Sequence, residues 1–164
     1  MMTQELLKSI LHYDKDTGVF TWKIQSNSNN KIGDIAGTKK QSGYMSITYK
    51  GKLYSSHRLA FLYEHGYLPK IIDHINRIKT DNRIENLREA THSQNQYNSK
   101  KGFGKSHEKN VYWRQYRQKW AVIFYFNNKP KQFGSFKTIE EATKLAQKLR
   151  IQFHGDFAYH KENT

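Results

Sequence analysis

The sequence predicts an α+β protein, in which short strands and capped helices alternate without the regular strand–helix–strand rhythm of a parallel sheet. Three observations carry that expectation. Short β-prone runs are separated by turn residues along the whole chain. Two capping boxes, Thr91 with Gln94 and Thr138 with Glu141, mark helix starts. Helical periodicity is confined to short stretches, of which Ala142, Leu145, Ala146, Leu149 and Phe153, closed by Gly155, is the clearest.

In chain order, Thr3 can cap a helix through His12 with Leu6, Leu7, Ile10 and Leu11 on one face. Asp14 to Gly18 reads as a turn, Val19 to Trp22 as a strand, and the Asn/Ser-rich Gln25 to Lys31 as a mobile loop. Gly43 to Tyr49 and Lys52 to Ser55 form a hairpin around Lys50-Gly51. Ser56 is a helix cap, and that helix ends near Gly66 with Pro69 beyond. Residues 1–55 thus read as an α/β scaffold, although Lys39, Lys40, Lys50, Lys52 and Arg58 could also touch a polyanion.

Charge points to a polyanionic partner. The 164 residues hold 28 Lys and Arg against 14 Asp and Glu, a formal net charge of +14. That exceeds what solubility requires and predicts salt-sensitive binding, because each neutralised phosphate releases counterions. Lys100 to Thr164 alone carries a net charge of +9. The chain has no cysteine, which excludes disulfides and thiolate zinc sites. No apolar run approaches the ~20 residues of a membrane span, so the expectation is a cytoplasmic protein with no membrane partner.

The most informative stretch is Ile71 to Asn98. Ile71 and Ile72 run into Asp73-His74 as a short buried strand, a polar loop follows, and Asn86 to Ala90 is extended again. The helix begun at Thr91 carries Asn95 in its second turn. A carboxylate and an amide oxygen, completed by water and phosphate, suit a hard cation. His92 and Asn98 lie three residues either side of Asn95 and are alternative ligands. Asn76, Asp81 and Asn82 read as loop formers, and His57 as a structural hydrogen-bonder at a helix start.

Asp73-His74-Ile75-Asn76, Asp81-Asn82-Arg83, Glu85-Asn86-Leu87-Arg88 and Asn95 resemble the ββα-metal HNH nucleases, nearest to the phage and intron-encoded homing endonucleases. The likeness extends upstream through Ser56-His57-Arg58-Leu59-Ala60 and Gly66-Tyr67-Leu68-Pro69. At Arg77 and Ile78 the family usually carries Gly and a small polar or acidic residue. The resemblance implies a ββα-metal nuclease core over residues 56–100, with Asp73 and Asn95 holding one divalent ion, Mg²⁺ or alternatively Mn²⁺. His74 is then the general base, and Asn86 pins the loop that orients it. Arg83 and Arg88 are candidates to grip phosphate, or to pair with Asp81 or Glu85.

A basic linker is expected over 101–109. Three strands then read over Asn110–Tyr116, Lys119–Phe126 and Lys129–Phe133, with turns at Arg117-Gln118 and Asn127-Asn128. Strand alternation sends Trp120, Val122 and Phe124 toward the following helix and Ala121, Ile123 and Tyr125 away from it. Val111-Tyr112-Trp113-Arg114, Lys119-Trp120-Ala121-Val122, Phe133-Gly134-Ser135-Phe136 and His154-Gly155-Asp156-Phe157-Ala158 resemble the Apetala-type (ethylene-response-factor-like) DNA-binding domain, over residues 110–160. That likeness implies a small three-stranded antiparallel sheet packed on one helix, with its other face in a DNA groove. The candidate DNA contacts are Asn110, Tyr112, Arg114, Arg117, Lys119, Tyr125, Lys129, Lys131 and Gln132. His107, His154 and His160 read as surface or packing residues.

Together these expectations describe a metal-dependent, homing-type endonuclease acting on double-stranded DNA as a monomer, one strand per active site. The alternative is a DNA-binding regulator built on an HNH scaffold that has lost catalysis.

Overall fold

In the computed structural model of the chain, residues 2–26, 30–99 and 106–159 are described. Parts of the expected loop over 25–31 and of the expected linker over 101–109 lie outside these residues, as does His160. The chain divides into two compact units, Met1–Asn95 and Gln96–Thr164.

The first unit begins where the Thr3 hydroxyl accepts from the Leu6 amide and opens α1 (Gln4–Ile10). The helix was expected to reach His12 but stops at Ile10, because Leu11 turns extended and starts β1 (Leu11–Asp14), paired antiparallel with β2 (Val19–Trp22). Leu7, Ile10 and Leu11 are buried as the pattern requires, while Leu6 stays 37% exposed. The short β3 (Ile35–Ala36) joins this sheet, and β4 (Thr38–Lys39), β5 (Met45–Tyr49) and β6 (Lys52–Ser55) form a second. Lys50 and Gly51 turn the expected hairpin with φ of 46° and 73°. Helix α2 (Ser56–His65) ends on Gly66 at φ 76°, the left-handed conformation that favours glycine. Its start differs from the sequence reading: Ser56 is already helical, and its buried hydroxyl has no partner among the described residues.

Two short strands, β7 (Ile72–His74) and β8 (Leu87–Glu89), pair antiparallel, and α3 (His92–Asn98) follows. Both halves of its capping box form: the Gln94 amide donates to the Thr91 hydroxyl at 3.2 Å, and the Thr91 amide to Gln94 Oε1 at 2.8 Å. One apolar core runs from Met2 through Tyr13, Phe20, Ile47 and Phe61 to Ile72 and Leu87. The expected division at residue 55 is therefore not a division in packing. The scaffold and the Asp-His strand share a single core.

In the second unit β9 (Val111–Arg114), β10 (Lys119–Phe126) and β11 (Lys129–Phe136) form an antiparallel sheet in the order β11-β10-β9. Strand β9 is shorter than expected because Gln115–Arg117 wind into a 3-10 turn. Asn127 and Asn128 take φ of 48° and 62°, the tight hairpin anticipated from the Asn-Asn pair. Helix α4 (Ile139–His154) starts with the Glu141 amide donating to the Thr138 hydroxyl. Ala142, Ala146 and Leu149 bury against Val111, Val122 and Phe124, with Trp120, Phe133, Leu145 and Phe153 around them.

The side of β10 facing away from α4 is less open than alternation alone suggests. Ala121 and Ile123 are 0% and 3% exposed, and only Tyr125 reaches solvent, at 57%. Ala121 is flanked across the sheet by Tyr112 and Ser135. Around Ile123, Asn110 closes the strand end: its carbonyl accepts from the Ile123 amide and its Nδ2 donates to the Ile123 carbonyl.

Candidate functional site

The site is built on β7, where Asp73 and His74 are adjacent and each only 5% exposed. A buried carboxylate needs hydrogen-bond donors or a counter-charge. The antiparallel register supplies both by setting Arg88 opposite Asp73. Arg88 Nε and Nη2 both donate to Asp73 Oδ2, at 2.9 and 2.8 Å.

His74 points into a different setting. Its Nε2 lies 3.1 Å from Asn82 Oδ1. An amide oxygen can only accept, so in the neutral ring Nε2 carries the hydrogen and Nδ1 is the basic nitrogen. The Asn82 backbone is fixed in turn, since its carbonyl accepts from the Tyr13 hydroxyl at 2.7 Å. The rings of His57 and Tyr44 stand 5.2 and 5.9 Å from that of His74, and Lys79 Nζ lies 4.6 Å from the Tyr44 centroid.

The loop between β7 and β8 is held by its own side chains. Asn86 Oδ1 accepts from the Asn76 amide at 2.9 Å and Asn86 Nδ2 donates to the Asp81 carbonyl at 2.8 Å. Asn76 Nδ2 donates to Asp81 Oδ2, and Arg83 pairs with both Asp81 and Glu85. The Arg83 hydrogen bonds hold the Asp81 carboxyl down to about 2. Arg77 stands at φ 66°, in the left-handed region that favours glycine.

Burial sets the charge state of the two imidazoles. It lowers the pKa of His74 despite the opposing Asn82 contact and the Asp73 and Asp81 charges. Burial also lowers His57 to about 4, helped by repulsion from His74 when that ring is protonated and from Arg58. The unfolded imidazole titrates near 6.5, so the unfolded state binds more protons between roughly pH 6.5 and 4. Stability contributed by neutral His57 is thus present above that window and is lost as the pH falls through it. His154 in the second unit is lowered to about 4 by burial and behaves alike. Urea midpoints should fall on acidification across this window, and His57→Gln should flatten the slope reported by Trp22 but not that reported by Trp113 and Trp120.

Residues 54–97 match the sequence model of the HNH endonuclease family. The matched segment spans β6 to α3, about a quarter of the chain, and contains Asp73, His74, Asn82, Asn86, Arg88 and Asn95. No curated protein and no solved structure matches the chain.

Within the HNH segment Asn95 is exposed on α3, with its amide bonded to the Thr91 carbonyl and no hydrogen bond from its side chain to Asp73 or His74. Among the described residues no three His, Cys, Asp or Glu side chains gather into a group that could hold a metal ion. The pair expected to hold the ion is one carboxylate, already engaged by Arg88, and one exposed amide. A set so small would leave most of a coordination shell to water and phosphate, as Mg²⁺ tolerates.

Arg83 and Arg88, expected to reach for phosphate, are engaged by carboxylates here: Arg83 by Asp81 and Glu85 as one alternative foresaw, Arg88 by Asp73 as none did. Asn82, read as a turn former, and His57, read as a helix-start hydrogen-bonder, turn out to contact His74. Nothing local signals those contacts, which join residues 8 and 17 positions apart in sequence.

Among the candidate contacts in the second unit, Arg114, Arg117, Lys119, Tyr125 and Gln132 are exposed and Tyr112 is half-buried. Arg114 pairs with Lys119 and Tyr112 with Ala121, on the face away from α4. Lys129 and Lys131 fall elsewhere. A register shift next to Ile123 puts them opposite Phe126 and Phe124, and Lys131 Nζ lies 5.3 Å from the Phe133 ring centroid, so both belong to the helix side of the sheet.

Proposed function

We propose that the chain is a metal-dependent, homing-type HNH endonuclease that hydrolyses phosphodiester bonds in double-stranded DNA, one strand per active site. One observation carries this reading: a buried neutral imidazole, fixed by Asn82 through Nε2, sits beside a buried carboxylate on a strand inside the HNH-matched segment. His74 Nδ1 takes the proton of the attacking water, hydroxide adds to phosphorus, and the bond to the 3′ oxygen breaks. Asp73 and Asn95 would hold Mg²⁺, which when bound neutralises charge developing on the phosphate and the departing oxygen. Asn86 acts on the loop rather than on the reacting atoms, since its amide spans Asn76 and Asp81.

The second unit serves this reading as the DNA-holding module. Its three-stranded sheet backed by one helix, with Arg114, Lys119, Gln132 and Tyr125 on the face away from the helix, supports the likeness to Apetala-type domains.

Incubation with supercoiled plasmid and Mg²⁺ tests the reading. Nicked circles that disappear with chelator are expected, whereas DNA binding without any nicking would favour the non-catalytic regulator. Asn86→Ala is expected to lose most nicking yet retain cation binding by calorimetry; loss of cation binding in a folded variant would contradict its assignment to the loop.

A further inference from the structure

On the nuclease reading, the Asp73–Arg88 pair lies where a cation and a phosphate would both arrive. Each residue is the cross-strand partner of the other, and their side chains are 6% and 17% exposed. Arg88 Nε and Nη2 donate to the same oxygen, Oδ2, so the guanidinium neutralises this carboxylate. Arginine cannot escape by losing its proton. A divalent cation approaching Asp73 therefore meets a fixed positive charge already in place, and repulsion across a few ångströms of poorly screened surroundings is strong. A phosphate has the opposite effect, because its oxygens accept the same forked donors that hold the carboxylate.

We propose that Arg88 is a positioning residue for Asp73 that couples cation binding to DNA binding. The proposal rests on the nuclease reading and deepens it. Without DNA the guanidinium holds Asp73 and cation affinity is low. A backbone phosphate draws the guanidinium off Oδ2 and raises cation affinity, and by linkage the cation raises affinity for DNA by the same factor. Hydrolytic competence is thereby confined to the DNA-bound protein.

The test is calorimetric titration of Mn²⁺ into the full chain carrying His74→Ala to stop cleavage, with and without a short DNA duplex, corrected for Mn²⁺ taken up by the duplex alone. Duplex is expected to tighten Mn²⁺ binding by about tenfold or more, within the ordinary range of coupling between two sites. Adding Arg88→Gln is expected to tighten binding without DNA by a similar factor and to abolish the effect of duplex. Adding Asp73→Asn to that variant should remove the binding, which ties the gain to this carboxylate.

Equal Mn²⁺ affinity with and without duplex in the Arg88-containing protein overturns the coupling, whether or not Arg88→Gln folds. Weaker binding in a folded Arg88→Gln variant also overturns it, since the guanidinium would then be assisting the cation. Absence of Mn²⁺ binding in every arm overturns the nuclease reading along with it, whereas Mg²⁺-dependent nicking by wild type alongside uncoupled binding sinks only the role of Arg88.

Discussion

Replacing His74 with alanine is expected to lower the rate of plasmid nicking by about 10²- to 10⁴-fold, the usual contribution of a positioned general base. The loss should fall on the rate of the bound complex and leave DNA affinity within a small factor of wild type, since on the proposed reading the imidazole acts on water rather than on the duplex. Buried beside His57 and Tyr44, the His74 ring is disfavoured as a cation, so the base form persists below the ordinary imidazole value near 6.5. The acid limb of the rate profile should accordingly lie below that value in wild type. Nicking in His74→Ala at a rate indistinguishable from wild type would remove the general base from the mechanism.

Gly18→Ala is expected to destabilise the first unit by about 2–4 kcal/mol, in the range seen where backbone must move. Gly18 sits at φ 73° in the turn between β1 and β2, and a Cβ there would lie 2.5 Å from the Arg83 nitrogen and 2.6 Å from the Asn82 carbonyl carbon. The atoms in the way are backbone, so no side-chain rotation relieves the clash. Gly51 provides the control. It has the same φ of 73° with nothing within 4 Å of its Cβ position, so Gly51→Ala isolates the conformational cost, about 1 kcal/mol. The difference in urea unfolding free energy between the two variants measures the contact. Because Asn82 holds His74, folded Gly18→Ala should also nick more slowly than folded Gly51→Ala. Equal stability and equal rates for the two would show that this turn does not buttress the site.

That contact also ties the N-terminal 55 residues to the segment that matches the HNH endonuclease model. The turn Asp14 to Gly18 is readable from its residues, but its position against Asn82–Arg83 is not. The same holds for Tyr13, whose hydroxyl reaches the Asn82 carbonyl 69 residues away.

The amino-acid order by itself determined whatever depends on residues a few positions apart. The capping boxes at Thr91 and Thr138, the hairpins at Lys50-Gly51 and Asn127-Asn128, the apolar face of α4 and the adjacency of Asp73 and His74 on a buried strand were all legible in it. Hydrogen bonds and side-chain periods at that range are intrinsic to the local chain. Only the tertiary structure decided that Arg88 neutralises Asp73, that Asn82 selects the basic nitrogen of His74, and that a register shift carries Lys129 and Lys131 to the helix side of their sheet. Those outcomes depend on strand register and shared burial, where a slip of one residue changes every neighbour and no local pattern records which neighbour is met.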